Sequence, residues 1–416
     1  MKTDTVLDFP FIRQQADYHN GFLTGQMKSL KLMTALQPIY SIAHKRIIGY
    51  EALLRPKNEK NEWISPASLF EQAETPLEQV HLDRISRCIH LHNFQTINDP
   101  LNWLFLNVSP QTIISGKAYG SFFTDLLHEF DFPPHRVVIE VVEQPISDNN
   151  LLLNTIQYYK DLGCLIAIDD FGAGHSNFDR LWTLKPDIVK LDRSFLARTS
   201  KQSSIRSMMS GIVSLIHQAG ALVLIEGVET IDQAILGIEC DADFVQGFFF
   251  SRPFTDLSVP HEPFQEFNAL FDYFKATSGR KRNEFQNRVS HYDMIMKAAV
   301  NDLKSGLPLG SAVKGLLDDA RVVRCYMIGV DGIQIGSTMV SNSYTADIDK
   351  RFKPLDDARS ADWFRRHYLQ RAIYHPEQLQ VTRPYLSITG AHMCRTLSIK
   401  FSARDSECVL CCDLSV

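Results

Sequence analysis

Between residues 32 and 254 the chain alternates short apolar runs with stretches of helical texture, and nearly every run stays apolar until its last residues. The runs are LMTALQPIYSI, IIGYEALLRP, WLFLNVSP, RVVIEVVEQ, CLIAIDDFG, DIVKLDR, ALVLIEGVE and DFVQGFFF. Strands this continuously apolar must be covered on both faces, as in a parallel sheet flanked by helices. Eight of them with intervening helices, over about 220 residues, point to an α/β fold of the (β/α)8 barrel type; an open α/β sandwich is the other arrangement the pattern permits. One connection departs from the rule. Only Ala43, His44, Lys45 and Arg46 separate PIYSI from IIGYE, too few for the crossover that parallel strands need. The first two strands therefore form a hairpin, and the barrel is modified by an antiparallel first strand.

At 416 residues the chain is too long for one ordinary core, so two or three domains are expected. A hydrophobic content of 44% and a charged content of 22% belong to a soluble globular protein. The net charge of -5 offers no basic face to a nucleic acid polymer. No apolar run approaches the roughly 20 residues of a membrane span, and MKTDTVLDFPF lacks the order of a secretion signal, so a cytoplasmic location is expected. The eight cysteines are too scattered for a disulfide framework. Cys408 and Cys411 have zinc-ligand spacing but no second matching pair. The stretch Glu407–Asp413 reads better as a core strand alternating its faces, with a metal or redox role as the alternative.

The chemistry lies where the runs end. Glu51 closes the second run, Asn107 the third, Glu140 and Glu143 the fourth, Asp169 and Asp170 the fifth. Lys190 falls in the sixth, Glu226 and Glu229 in the seventh, and Gln246 in the eighth. A strand-terminal acid is commonly just a helix cap. Seven acids at successive strand ends converge on the C-terminal face of a barrel, where they repel one another unless cations bind. The donors are oxygen atoms, without His or Cys, which favours Mg2+ or Mn2+ over zinc. Two such ions would activate water and clamp a phosphodiester. Lys190 could deprotonate or orient that water, or serve as a structural ion-pair partner.

Glu51-Ala-Leu-Leu-Arg55 resembles the signature of the EAL domain family. Gln37-Pro-Ile, Leu106–Pro110, Glu140–Glu143, Asp169–Gly174, Val189–Asp192, Glu226–Glu229 and Gln246-Gly-Phe resemble further family blocks in family order. The resemblance covers about residues 32–254 and implies hydrolysis of cyclic di-GMP to linear pGpG with two Mg2+ or Mn2+ ions; from the oxygen-only donor set, Ca2+, with its longer bonds and looser geometry, is expected to inhibit. It implies that Glu51, Asn107, Glu140 and Asp169 hold the first metal. Asp169 would bridge to the second with Asp170, Glu226 also belongs to the metal site, and Lys190 and Glu226 act on the attacking water. Arg55, Gln37 and Gln246 would hold substrate. Glu143, with Glu229, would belong to the regulatory loop system around Asp170–Asn177, Glu143 pinning that loop. Val142, His175 and Asn177 depart from the usual family residues and bear on loop tuning. The alternative is a receptor that binds cyclic di-GMP without cutting it; the complete ligand set favours the enzyme.

The remaining segments divide as an N-terminal arm (1–30), the barrel (31–258), a helical connector (259–304) read as helix, break at GRKR, helix, and a C-terminal α+β domain (305–416). That last segment has the short alternating strands of an antiparallel sheet and a turn at Asp331-Gly332. Through Trp363, Arg366, Tyr368, Arg383-Pro-Tyr385 and Asp413 it resembles the Cache group of PAS-like sensor folds. The resemblance implies a pocket for a small anionic or zwitterionic ligand, with Asp413 meeting an ammonium group. The alternative is a dimerisation module with these aromatics in its core. A homodimer, paired through both domains, is expected.

Overall fold

The structure, a computed structural model, describes residues 7–415 except 20, 98–99, 117–121, 143–148, 173–177, 200–202, 259–262, 343–357, 388–392 and 404–405. The chain forms two compact units, Met1–Lys275 and Ala276–Val416. None of the described helices is long and apolar enough to cross a membrane.

In the first unit the strands are β1 (Ala16–His19), β2 (Phe22–Met27), β3 (Leu30–Ser41), β4 (Arg46–Lys57), β5 (Trp103–Val108), β6 (Val137–Val142), β7 (Leu165–Phe171), β8 (Ile188–Leu191), β9 (Leu222–Ile225) and β10 (Phe244–Val245). From β4 to β10 each strand lies parallel to the next. β3 closes the ring by pairing antiparallel with both β4 and β10. The β3–β4 hairpin turns at Lys45, whose backbone is left-handed (φ 55°) and whose N–H donates to the Ser41 carbonyl at 2.9 Å.

Within the N-terminal segment, expected as a helix or arm, Phe9–Gln14 is a helix, and β1 and β2 add a further piece to this sheet. β1 and β2 form a hairpin that continues antiparallel onto the start of β3. β1 exposes three of its four residues, so it lacks the apolar signature of a strand and draws its order from pairing. The helix Pro76–Gln95 begins with a full capping box, Thr75 with Glu78, and packs one apolar face against the barrel wall through Val80, Leu82, Ile85, Ile89 and Phe94.

Inside the ring lies an apolar layer with residues from seven strands: Ile39, Phe105, Val138, Ala167, Ile188, Leu224 and Phe244. On β4 the same level is held by Gly49, paired with Ile39. A methyl group there would come within 2.7 Å of the Trp103 carbonyl and 3.1 Å of the Phe105 ring, so the glycine makes room for Phe105.

The chain around residue 275 is one continuous helix, Phe267–Lys304, without the break expected at GRKR. Gly279 alone costs a helix interior only about 1 kcal/mol relative to Ala, and the flanking Arg and Lys residues are good helix formers. In the second unit, β11 (Val322–Gly329), β12 (Gln334–Val340), β13 (Gln380–Val381), β14 (Tyr385–Leu386), β15 (Met393–Ala403) and β16 (Ser406–Ser415) form an antiparallel sheet in the order β12-β11-β16-β15-β13, with β14 also on β15. β16 is covered on both faces. Cys408, Leu410 and Cys412 enter one apolar cluster, and Val409 and Cys411 the other. Cys408 and Cys411 thus point to opposite faces and do not share a metal.

Candidate active site

Side chains on one face of a strand recur every second residue. Two positions beyond the apolar layer, toward the C-terminal ends of β4 to β10, stand Glu51, Asn107, Glu140, Asp169, Lys190, Glu226 and Gln246. On β3, which runs the other way, the corresponding residue is Gln37, opposite Glu51. The barrel interior is therefore apolar at one level and almost wholly polar at the next.

Lys190 is fully buried at the centre of this upper level. Its Nζ lies 2.5 Å from Glu140 Oε1, 2.6 Å from Glu226 Oε1, 3.0 Å from Asp169 Oδ1 and 3.7 Å from Glu51 Oε1. Asn107 Nδ2 donates to Glu140 Oε2 at 2.9 Å and to Glu51 Oε1 at 3.4 Å, and Gln246 Nε2 donates to Glu51 Oε2 at 2.8 Å. Asp170 follows Asp169 directly and on a regular strand would face the other way. Its backbone is left-handed instead (φ 56°), and its N–H donates to Asp169 Oδ1 at 3.0 Å. Oxygens of Asp169, Asp170 and Glu226 thereby come within 4.8 Å of one another.

One ammonium does not balance these carboxylates. Burial works against the charge of Lys190, yet Asp169, Glu140, Glu226 and Glu51 together hold its pKa well above the usual lysine value. Burial lifts Glu140 well above the carboxylate range, with Lys190 pulling back. Burial likewise pushes Glu226 up to about 8, against the pull of Lys190, and raises Asp170, where Asp169 adds repulsion. Glu140 Oε1 and Glu226 Oε1 are buried and face the ammonium without an aligned hydrogen bond. A close set of hard oxygen donors with surplus negative charge fits divalent cations of the Mg2+ or Mn2+ kind.

The EAL domain model matches residues 23–253, more than half of the chain. The chain belongs to the EAL family. Among relatives of the EAL domain, the cyclic di-GMP phosphodiesterase RocR of Pseudomonas aeruginosa is 34% identical over 161 residues, 38% of this chain and 41% of RocR. The cyclic di-GMP phosphodiesterase PdeF of Escherichia coli is 29% identical over 272 residues, 61% of this chain and 33% of PdeF. The chain thus spans less than half the length of these relatives. The crystal structure of the Bacillus subtilis YkuI protein, which has an EAL domain and was solved with substrate c-di-GMP and calcium, shares the fold with a TM-score of 0.77. That likeness covers 92% of this chain and 96% of the other at 22% identity.

Other residues singled out in the sequence lie around the EAL-domain cup. Gln37 is buried and donates to the Ser251 carbonyl at 3.2 Å. Arg55 shares a β4 face with Glu51, four residues further on, and is half-buried; burial lowers its pKa while Glu51 supports its charge. Glu229 stands apart. It is exposed, and its N–H donates to Gln233 Oε1 at 2.7 Å beside the capping box that opens the helix Ile231–Glu239. Glu143 and residues 173–177 of the loop lie outside the described residues.

Two supports escaped the sequence reading. Gly49 clears the level below Glu51. Asp83, in the helix Pro76–Gln95, pairs with Arg87 four residues on and accepts the Ser109 N–H at 2.9 Å, tying down the turn just beyond Asn107. An Asp and an Arg on an otherwise apolar helical face were the available signal.

In the second unit Asp413 is fully buried. It accepts from Arg324 Nε at 2.7 Å, Thr396 Oγ1 at 2.7 Å and the Tyr326 hydroxyl at 3.4 Å. Trp363 Nε1 donates to Gln334 Oε1 at 3.0 Å. Arg366 lies 5.8 Å from the Trp363 ring and 6.0 Å from the Tyr385 ring, and the Tyr368 and Tyr326 hydroxyls meet at 3.2 Å. Arg366, Tyr368 and Tyr385 come together at one cavity; Trp363 is tied to Gln334 and Asp413 to Arg324.

The electrostatics give an expected result for cation binding. Glu226 ordinarily titrates near 4.5 but in the folded cup near 8. The proton thus favours the folded state, a contribution complete below about pH 4.5 and lost as pH rises through 8. A cation replaces that proton. The rise in Tm on adding Mg2+ or Mn2+ to metal-free protein should therefore grow between pH 6 and 8, as thermal melts can check. A gain independent of pH would place the cation elsewhere.

Proposed function

We propose that the chain hydrolyses cyclic di-GMP to pGpG with two Mg2+ or Mn2+ ions. The observation that carries this reading is the cup of Glu51, Glu140, Asp169, Asp170 and Glu226 around Lys190, on the barrel face where catalytic residues gather. Bound cations would supply an acidified water and neutralise phosphate charge. Glu51, Asn107, Glu140 and Asp169 would hold one ion, and Asp169, Asp170 and Glu226 the other. Lys190 and Glu226 hold and move protons at the attacking oxygen. Arg55 offers a guanidinium to a substrate phosphate, and Gln37 and Gln246 offer amides to the rest of the ligand. The names of RocR and PdeF support the substrate.

The second unit is, on this reading, a Cache-like sensor in a cytoplasmic homodimer, acting on turnover through the loop after Asp170, where Glu143 and Glu229 take part. The experiment is incubation of purified protein with cyclic di-GMP and Mg2+ or Mn2+, with products separated by chromatography. pGpG should accumulate, vanish with EDTA and be suppressed by Ca2+. Tight binding of cyclic di-GMP without pGpG would make the chain a receptor.

A further inference from the structure

We propose that the second unit carries a binding site for a small organic anion with a flat apolar body. The site is a cavity of about 440 Å3, within the range of small-molecule sites, and its lining includes Arg366, His367, Tyr368, Arg371, Arg383 and Tyr385. Among the described residues no carboxylate lines it. Among the described residues none of the three guanidiniums has an acidic partner; Arg371 reaches only the Val381 carbonyl, at 3.5 Å, and Arg366 rests against the Trp363 and Tyr385 rings. Three guanidiniums on the wall of one cavity make it electropositive, and guanidinium forks match carboxylate and phosphate oxygens.

The aromatic walls define the rest of the ligand. The Tyr368 hydroxyl is engaged with Tyr326 and the Tyr385 hydroxyl with Thr396, at 2.6 Å; Tyr368 is buried but for its edge on the cavity, and the partly buried Tyr385 offers the larger ring surface. Among the described lining residues an ammonium group finds no acidic partner. The acid expected to meet one, Asp413, is fully buried, hydrogen-bonded to Arg324 and Thr396, and absent from the lining. The ligand class is therefore an aromatic or similarly flat carboxylate or phosphate ester, and not an amine or zwitterion.

Binding at this site stands apart from catalysis; only its regulatory meaning rests on the sensor reading above. The test is calorimetric titration of the full chain with benzoate, phenyl phosphate, inorganic phosphate and benzylamine, with turnover of cyclic di-GMP followed in parallel. One or both aromatic anions should bind once per chain with a Kd of about 1 mM or below, and the stronger of the two identifies the carboxylate or the phosphate as the natural head group. Benzylamine should give no heat, and inorganic phosphate should bind more weakly than phenyl phosphate. Arg366→Gln with Arg371→Gln should weaken binding at least tenfold, as should the exposed Arg383→Gln, with circular dichroism and Tm confirming that each variant folds. Benzylamine binding as well as benzoate, no binding of either aromatic anion, or unchanged binding in folded variants would overturn the site. Binding that leaves turnover unchanged supports the site and overturns its regulatory role.

Discussion

Lys190→Met is expected to lower turnover by about 10²–10⁴-fold, the usual share of a positioned proton-handling group, while affinity for cyclic di-GMP changes little. The lysine contacts carboxylates at the cup floor and none of Gln37, Arg55 or Gln246, the groups read as holding substrate. Its loss should therefore appear in kcat and not in binding, which a titration with Ca2+ in place of Mg2+ can measure. The same substitution strips the ammonium from Glu140, Glu226, Asp169 and Glu51. Breaking a buried ion pair typically costs about 3–5 kcal/mol, so the metal-free variant should melt markedly lower, and added cation should recover much of the difference. Equal losses in binding and turnover would recast Lys190 as a substrate anchor.

Glu51→Ala separates the same effects in the opposite way. Glu51 is only partly buried and lies at the far edge of the ammonium's reach, 3.7 Å from Nζ. Removing it takes away the Gln246 hydrogen bond and the longer of the two from Asn107 but also relieves repulsion, so metal-free stability should shift by no more than about 1 kcal/mol. Cation binding should suffer far more. Outer-shell changes around metal ligands commonly cost 10–100-fold, so loss of a direct donor should weaken cation affinity by at least about 100-fold. Turnover should fall below detection, and the cation-induced rise in Tm should disappear with it. Near-normal turnover would remove Glu51 from the metal site.

The eight barrel strands were legible because each is apolar over several residues, and the short link 43–46 dictated a hairpin. The site was legible for a related reason: one acid at the end of an apolar strand can be a helix cap, but seven at successive strand ends exceed that use and point to chemistry. Features that depend on distant partners were not. β1 is ordered by pairing with β2 and carries no apolar stripe of its own. Gly49 looks like any strand glycine until Phe105 and Trp103 are set beside it. Asp413 reads as a charge seeking a ligand, and only the fold brings Arg324, 89 positions away in sequence, to neutralise it. The GRKR motif looked like a break because its glycine was weighed without the helix-forming residues around it.

The apolar level formed by Ile39, Gly49, Phe105, Val138, Ala167, Ile188, Leu224 and Phe244 makes the polar cup a blind well. Seven of these side chains are almost without solvent contact, so no water-filled passage runs down the barrel axis beneath Lys190. Whatever enters the well must leave by the same opening. Occupancy by an outgoing molecule and arrival of the next are therefore mutually exclusive, and traffic passes residues such as the half-buried Arg55, which stands beyond Glu51 on β4.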